Sequence, residues 1–125
     1  MILFLDTSSE KCKIWLDHEY FEKEFGRDMA RDILTFLEGS LTKIEKKYED
    51  LAAIGFFAGP GSFTGLRIGA SVSNTLADGL NVPIVAISED KDWRKLAEKQ
   101  LKNGENDKIA VPFYGRGANI TKPRK

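Results

Sequence analysis

Residues 51–87 form a run of 37 positions with two formal charges, Arg67 and Asp78, where the chain's 30% average would place about eleven. A segment so poor in charge cannot offer one flank to water as a surface element does, so it becomes the interior of the fold. Two short apolar runs, 51–58 and 83–87, bound it, each too short for a core helix and rich in the branched and aromatic residues of a buried strand. The first predicts a central parallel strand. Between them lie Gly59-Pro60-Gly61 and a helix running to about Leu80, with Ser62 or Thr64 as its cap and Gly79 and Asn81 as its stop.

Upstream, side chains alternate over residues 2–6, 11–16 and 20–25, which predicts a three-stranded antiparallel meander. Met29, Ile33, Phe36, Leu37, Leu41, Ile44 and Tyr48 then recur at helical steps, predicting an amphipathic helix over about 27–48. Gly39 and Ser40 are poor helix formers, so a kink or a close helix contact is expected there. Downstream, Ser88 partly caps a last helix whose apolar face is Trp93, Leu96, Ala97 and Leu101. Residues 103–107 make a polar break, and 109–114 a short edge strand. The order βββαβαβα describes an α/β fold, a mixed five-stranded sheet with an antiparallel meander plus parallel strands flanked by helices. Residues 1–103 form one domain, and 104–125 a basic tail.

At 125 residues the chain is the size of one domain. With 19 basic and 19 acidic side chains, net charge gives no bulk attraction to nucleic acid or anionic membranes. Charge is nonetheless uneven, because residues 108–125 hold five cations and no acid. That end can dock on RNA phosphates or an acidic partner, or stand as a solvated terminus. The apolar opening, residues 1–5, lacks a basic leader and is far shorter than a roughly 20-residue span, so the expected location is the cytoplasm, with no membrane contact. One histidine and one cysteine cannot furnish a zinc cluster, and no metal is expected.

The loop Gly59-Pro60-Gly61-Ser62-Phe63-Thr64-Gly65 joins a buried strand to a helix start, where backbone N–H groups can hold an anion. It fails as a Walker A loop, since no Lys follows the glycines, and meets the dinucleotide fingerprint only as GxGxxxG, with Pro60 and Phe63 adding bulk. A phosphate site and a structural turn both remain open for it. In the helix that follows, Gly65, Gly69, Ser73 and Ala77 lie four apart on one face. Small residues admit a second helix closely. The first helix covers that face within the protomer, or else both helices together offer a partner-binding face through Met29, Ile33, Phe36, Leu37, Leu66, Gly69, Ala70, Ser73, Leu76 and Ala77.

The run 59–69, GPGSFTGLRIG, together with the opening Leu3-Phe4-Leu5-Asp6-Thr7-Ser8, resembles the TsaB family of tRNA threonylcarbamoyladenosine biosynthesis proteins. The resemblance implies an actin-like ATPase (ASKHA, RNase H-like) half-fold. In it, Asp6, Thr7 and Ser8 correspond to the first phosphate loop of catalytic relatives, beside Gly59, Gly61, Ser62, Thr64 and Gly65. It also implies a non-catalytic accessory subunit that needs no cofactor of its own. Its partners are a TsaD-like transferase and a TsaE-like ATPase, the ATP belonging to those subunits. The two helices pair with those of TsaD, or with a second copy when the chain is alone. Residues 112–121 resemble the family's closing segment, which predicts that most of the second lobe is missing. The alternative is a small nucleotide- or dinucleotide-binding enzyme using the 59–65 loop, with Glu89 or Asp90 reading a ribose.

Other reactive side chains have plain readings. His18 belongs to a hairpin tip, Cys12 to a strand as a small core residue, and Asp6 to a strand-end turn. Neither Ser62 nor Thr64 has a second histidine to activate it.

Overall fold

The computed structural model describes residues 1–114; the basic end, Lys108 apart, and most of the closing-segment match lie outside the described residues. Five strands form one sheet in the order β3-β2-β1-β4-β5. They are β1 Ile2–Asp6, β2 Lys11–Leu16, β3 Glu19–Glu24, β4 Ala53–Gly59 and β5 Ile84–Ser88. The first three pair antiparallel, while β4 runs parallel to both β1 and β5. The ASKHA-type half-fold expected from the sequence is the fold observed.

Period-two alternation sets the sides of β2: Cys12, Ile14 and Leu16 are buried on one face, and Lys11, Lys13 and Trp15 stand on the other. The inward set packs under α1 Met29–Lys43 and α2 Phe63–Leu80 with Leu3, Leu5, Ile54 and Phe56. On the opposite face the ten-residue α3, Trp93–Lys102, sits over Phe4, Val85 and Ile87. That short helix reaches β2 only at Trp15 and leaves most of the outer face of β3 exposed.

Several boundaries differ from the sequence reading. β3 begins and ends one residue early. Helix α1 starts after a 3-10 turn, Gly26–Asp28, and stops at Lys43 rather than Tyr48. Glu45 takes φ +58°, and the N–H of Lys46 returns to the Leu41 carbonyl at 2.9 Å, closing the helix. Tyr48 belongs to a separate 3-10 turn, Tyr48–Asp50. The helix runs on through Gly39, where an added Cβ would meet nothing within 4 Å, so the close helix contact expected there is not made at Gly39. Asp92, not Ser88, precedes α3.

The edge strand expected over 109–114 does not form. The chain instead closes the edge of β5 with side chains: Asn106 Oδ1 accepts from Ile84 N–H at 3.1 Å, and Asp107 Oδ2 from Ala86 N–H at 2.9 Å. Asn74 of α2 then brackets Ala110, accepting from its N–H at 2.7 Å and donating to its carbonyl at 3.0 Å. Farther on, Phe113 N–H donates to the Ala58 carbonyl at 2.7 Å. Residues 106–113 thus lie beside α2 as a strap and bury Ala110.

Candidate functional site

Because β1 and β4 are adjacent and parallel, the turns that follow them leave the sheet at the same end. They meet there. Ser62 N–H donates to the Ser8 carbonyl at 2.8 Å, and Thr7 Oγ1, fully buried, donates to the Gly65 carbonyl at 2.6 Å. Asp6 Oδ1 accepts from the Ser8 N–H at 2.9 Å and from its hydroxyl at 2.6 Å. Ser62 Oγ caps α2 by accepting from Gly65 N–H at 3.1 Å, whereas Thr64 is exposed and plays no capping part.

The glycines admit the protein's own turn. A Cβ on Gly61 would lie 2.5 Å from the Ser8 Cβ and 2.6 Å from its carbonyl oxygen; one on Gly65 would strike the Thr7 carbonyl oxygen. On Gly69 it would strike Thr7 Oγ1 and come within 2.7 Å of the Phe56 ring. Gly59 takes φ +114°, open to glycine alone, and the Phe113 carbonyl occupies the place of its missing side chain. The structure therefore brings together Asp6, Thr7, Ser8, Gly59, Gly61, Ser62 and Gly65, and engages with one another several of the groups a phosphate would need. Glu89 reaches the same end, its N–H donating to the Gly59 carbonyl at 2.9 Å, while Asp90 accepts from Asp92 N–H at 2.7 Å.

The helix faces require a correction. Met29, Ile33, Leu37, Leu66, Gly69, Ala70, Ser73 and Ala77 are buried inside the protomer against its own sheet, and cannot meet another chain. The small-residue stripe exists to let α2 approach Thr7 and Phe56, not a foreign helix. Half-buried Phe36 packs edge-on to Phe25 at 5.6 Å, and only Leu76 lies toward the seam between the helices. At 100° per residue, the flank of α1 away from Phe36 carries Ala30, Leu34 and Glu38, and the outer face of α2 carries Thr64, Arg67, Ser71, Thr75 and Asp78. Leu34 is 48% exposed. The surface that these helices leave free mixes small residues with the charges of Glu38, Arg67 and Asp78, and its large exposed apolar side chains, Leu34 and Phe63, stand outside the stripe from which the sequence reading was drawn. Ser73 Oγ, buried beneath it, has no hydrogen-bond partner among the described residues.

The remaining candidates stay apart. His18 is exposed beside Ile2, at the other end of β1 from Thr7 and Ser62. Burial and the charge of Asp6 push the Cys12 thiol up to about 12, so it is protonated and inert at neutral pH. Among the described residues no three His, Cys, Asp or Glu side chains gather as a metal-ligand set, and no helix is long and apolar enough to cross a membrane.

Residues 23–91 match the family model of TsaD, tRNA N6-adenosine threonylcarbamoyltransferase. The TsaB protein of tRNA threonylcarbamoyladenosine biosynthesis from Buchnera aphidicola (Schizaphis graminum) is 29% identical over 124 residues, 92% of this chain and 59% of that one. Its Escherichia coli K12 counterpart is 35% identical over 92 residues, 70% of this chain and 39% of that one. Among solved structures, YeaZ from Pseudomonas aeruginosa superposes with a TM-score of 0.64 at 28% identity, covering 81% of this chain and 49% of its own. The chain therefore spans between about two fifths and three fifths of the length of these relatives.

Proposed function

Because the chain belongs to the TsaD family of tRNA N6-adenosine threonylcarbamoyltransferases and is a member of its TsaB branch, we propose that it serves tRNA threonylcarbamoyladenosine biosynthesis as an accessory subunit. It contributes no catalytic group, and pairs with a TsaD-type transferase through the exposed seam of α1 and α2. A TsaE-type ATPase joins the assembly, and ATP is handled by those partners. The observation that carries this reading is the packed turn at the end of β1. Where a nucleotide-binding relative would place a phosphate between the two turns, the Ser62 N–H is taken by the Ser8 carbonyl and the Asp6 carboxylate by Ser8. A turn closed on itself suits a subunit that retains the family's shape without its chemistry.

The surface for pairing is the one left free by the protomer, so it is tested at the exposed Leu34 and Thr75. Replacing both with Arg is expected to weaken co-sedimentation with the TsaD-type subunit at least about tenfold while leaving the melting temperature within a degree or two. Unchanged association would remove these helices from the interface. Calorimetric titration of the pure chain with ATP, ADP and NAD separates this reading from a small nucleotide-binding enzyme, which would bind one of them tightly without any partner.

A further inference from the structure

On the face opposite α1 and α2, a cleft of about 510 Å³ opens between α3 and the β2–β3 turn, within the size range of small-ligand sites. Its floor is Ile2 and Phe4, both apolar. One wall presents Arg94 and Lys95 from the first turn of α3 and Lys91 from the turn that precedes it. None of these three cations has a carboxylate within ion-pairing distance among the described residues.

The acids around the cleft are partly engaged elsewhere. Glu98 pairs with Lys102 at 3.1 Å, and Asp17 Oδ1 accepts from Ile2 N–H at 2.9 Å, leaving Asp92 as the one lining carboxylate whose side chain has no partner among the described residues. His18 closes the far lip. Arg94 is held in place over the Trp15 ring, 4.3 Å from its centroid, and Trp15 packs edge-on to Trp93 at 5.8 Å. Three cations without ion-pair partners, set among Asp17, Asp92 and the paired Glu98 above an apolar floor, match a ligand with an anionic head and a flat apolar body.

We propose that this cleft binds an organic phosphate monoester carrying a planar ring, the ring lying against the partly exposed Ile2 and the phosphate meeting Lys91, Arg94 and Lys95. The location is remote from the turn after β4 and independent of the accessory-subunit reading.

Trp15 and Trp93, the only two tryptophans, both adjoin this cleft, so intrinsic fluorescence reports on it directly. The probes are AMP, adenosine and inorganic phosphate, titrated into the intact chain. AMP is expected to change the emission saturably, with adenosine and phosphate each at least about tenfold weaker because each supplies half of the match. The double variant Lys91→Gln, Lys95→Gln is expected to lose at least about tenfold in AMP affinity with its melting curve unchanged, whereas Ser62→Ala retains it. No saturable change with AMP up to roughly 10 mM, adenosine binding as well as AMP, or undiminished affinity in the lysine variant would each overturn the assignment.

Discussion

Single side-chain positions here divide by what stands opposite a missing Cβ. Gly69 faces the Thr7 hydroxyl and the Phe56 ring, so Gly69→Ala is expected to destabilise by about 1–3 kcal/mol as the turn is pushed from α2. Gly39 and Gly79 have nothing within 4 Å and lie in helices with ordinary φ, so alanine at either is expected to stabilise by about 0.5–1 kcal/mol. Urea melts of the three variants read both signs, and a destabilised Gly79→Ala would show that α2 is crowded on its outer side. Cys12 gives a second measurement at this scale. With its thiol raised to about 12, it is protected against thiol reagents at pH 8, and labelling proceeds only as fast as the protein opens. The sign of the linkage follows: the folded state holds the proton more tightly, so the contribution is complete below the unfolded value near 9 and is lost as pH climbs toward 12. Little of this was legible beforehand. The spacing Gly65, Gly69, Ser73, Ala77 announced a close approach, but the approaching group is the turn at Thr7, which no local pattern could place beside a helix 58 residues on.

Elements were legible wherever their burial repeated. The alternation of β2 and the continuous apolar runs of β4 and β5 translate directly into a sheet with two-sided burial at its centre, and β1, expected to alternate, is buried on both faces because it lies between β2 and β4. The end of α1 was hidden because its stop is Glu45 in a left-handed conformation rather than a glycine, and because Tyr48 falls by coincidence on the stripe. From its turn, Tyr48 reaches back toward the Leu34 carbonyl and the Glu38 carboxylate at 3.5 and 3.4 Å. The strap was misread for a related reason. Residues 106–113 satisfy the edge of β5 through Asn106 and Asp107 side chains, which imitate a strand's acceptors without its backbone ladder. Asn74 holds that strap by both of its amide atoms. Asn74→Ala is expected to cost about 1–3 kcal/mol and, more tellingly, to raise amide exchange at Ile84 and Ala86 well before the rest of the sheet opens. Exchange at those two amides that stays in step with β1 would mean the strap holds without Asn74.

At the scale of the molecule, the charge-poor middle of the chain is explained by three neighbours inside one protomer. The sheet lies beneath α2, α1 along one flank, and the strap along the other. Poverty of charge on α2 is therefore no measure of how much of it a partner covers, and the free seam at Leu34 and Thr75 is narrower than the sequence suggested. A narrow seam bears on assembly. If the transferase and a second copy of this chain both use it, the two contacts exclude one another, since one surface cannot be covered twice. Native mass spectrometry of the chain mixed with a TsaD-type subunit is then expected to show the homodimer giving way to a one-to-one complex as transferase is added, with no species holding two copies of this chain and one transferase. Adding excess chain is expected to lower the apparent affinity for the transferase by simple competition. A stable two-to-one species would place the second copy elsewhere, and the exposed outer face of β3, where Tyr20 packs at 4.9 Å on Trp15, is where such a contact would be sought.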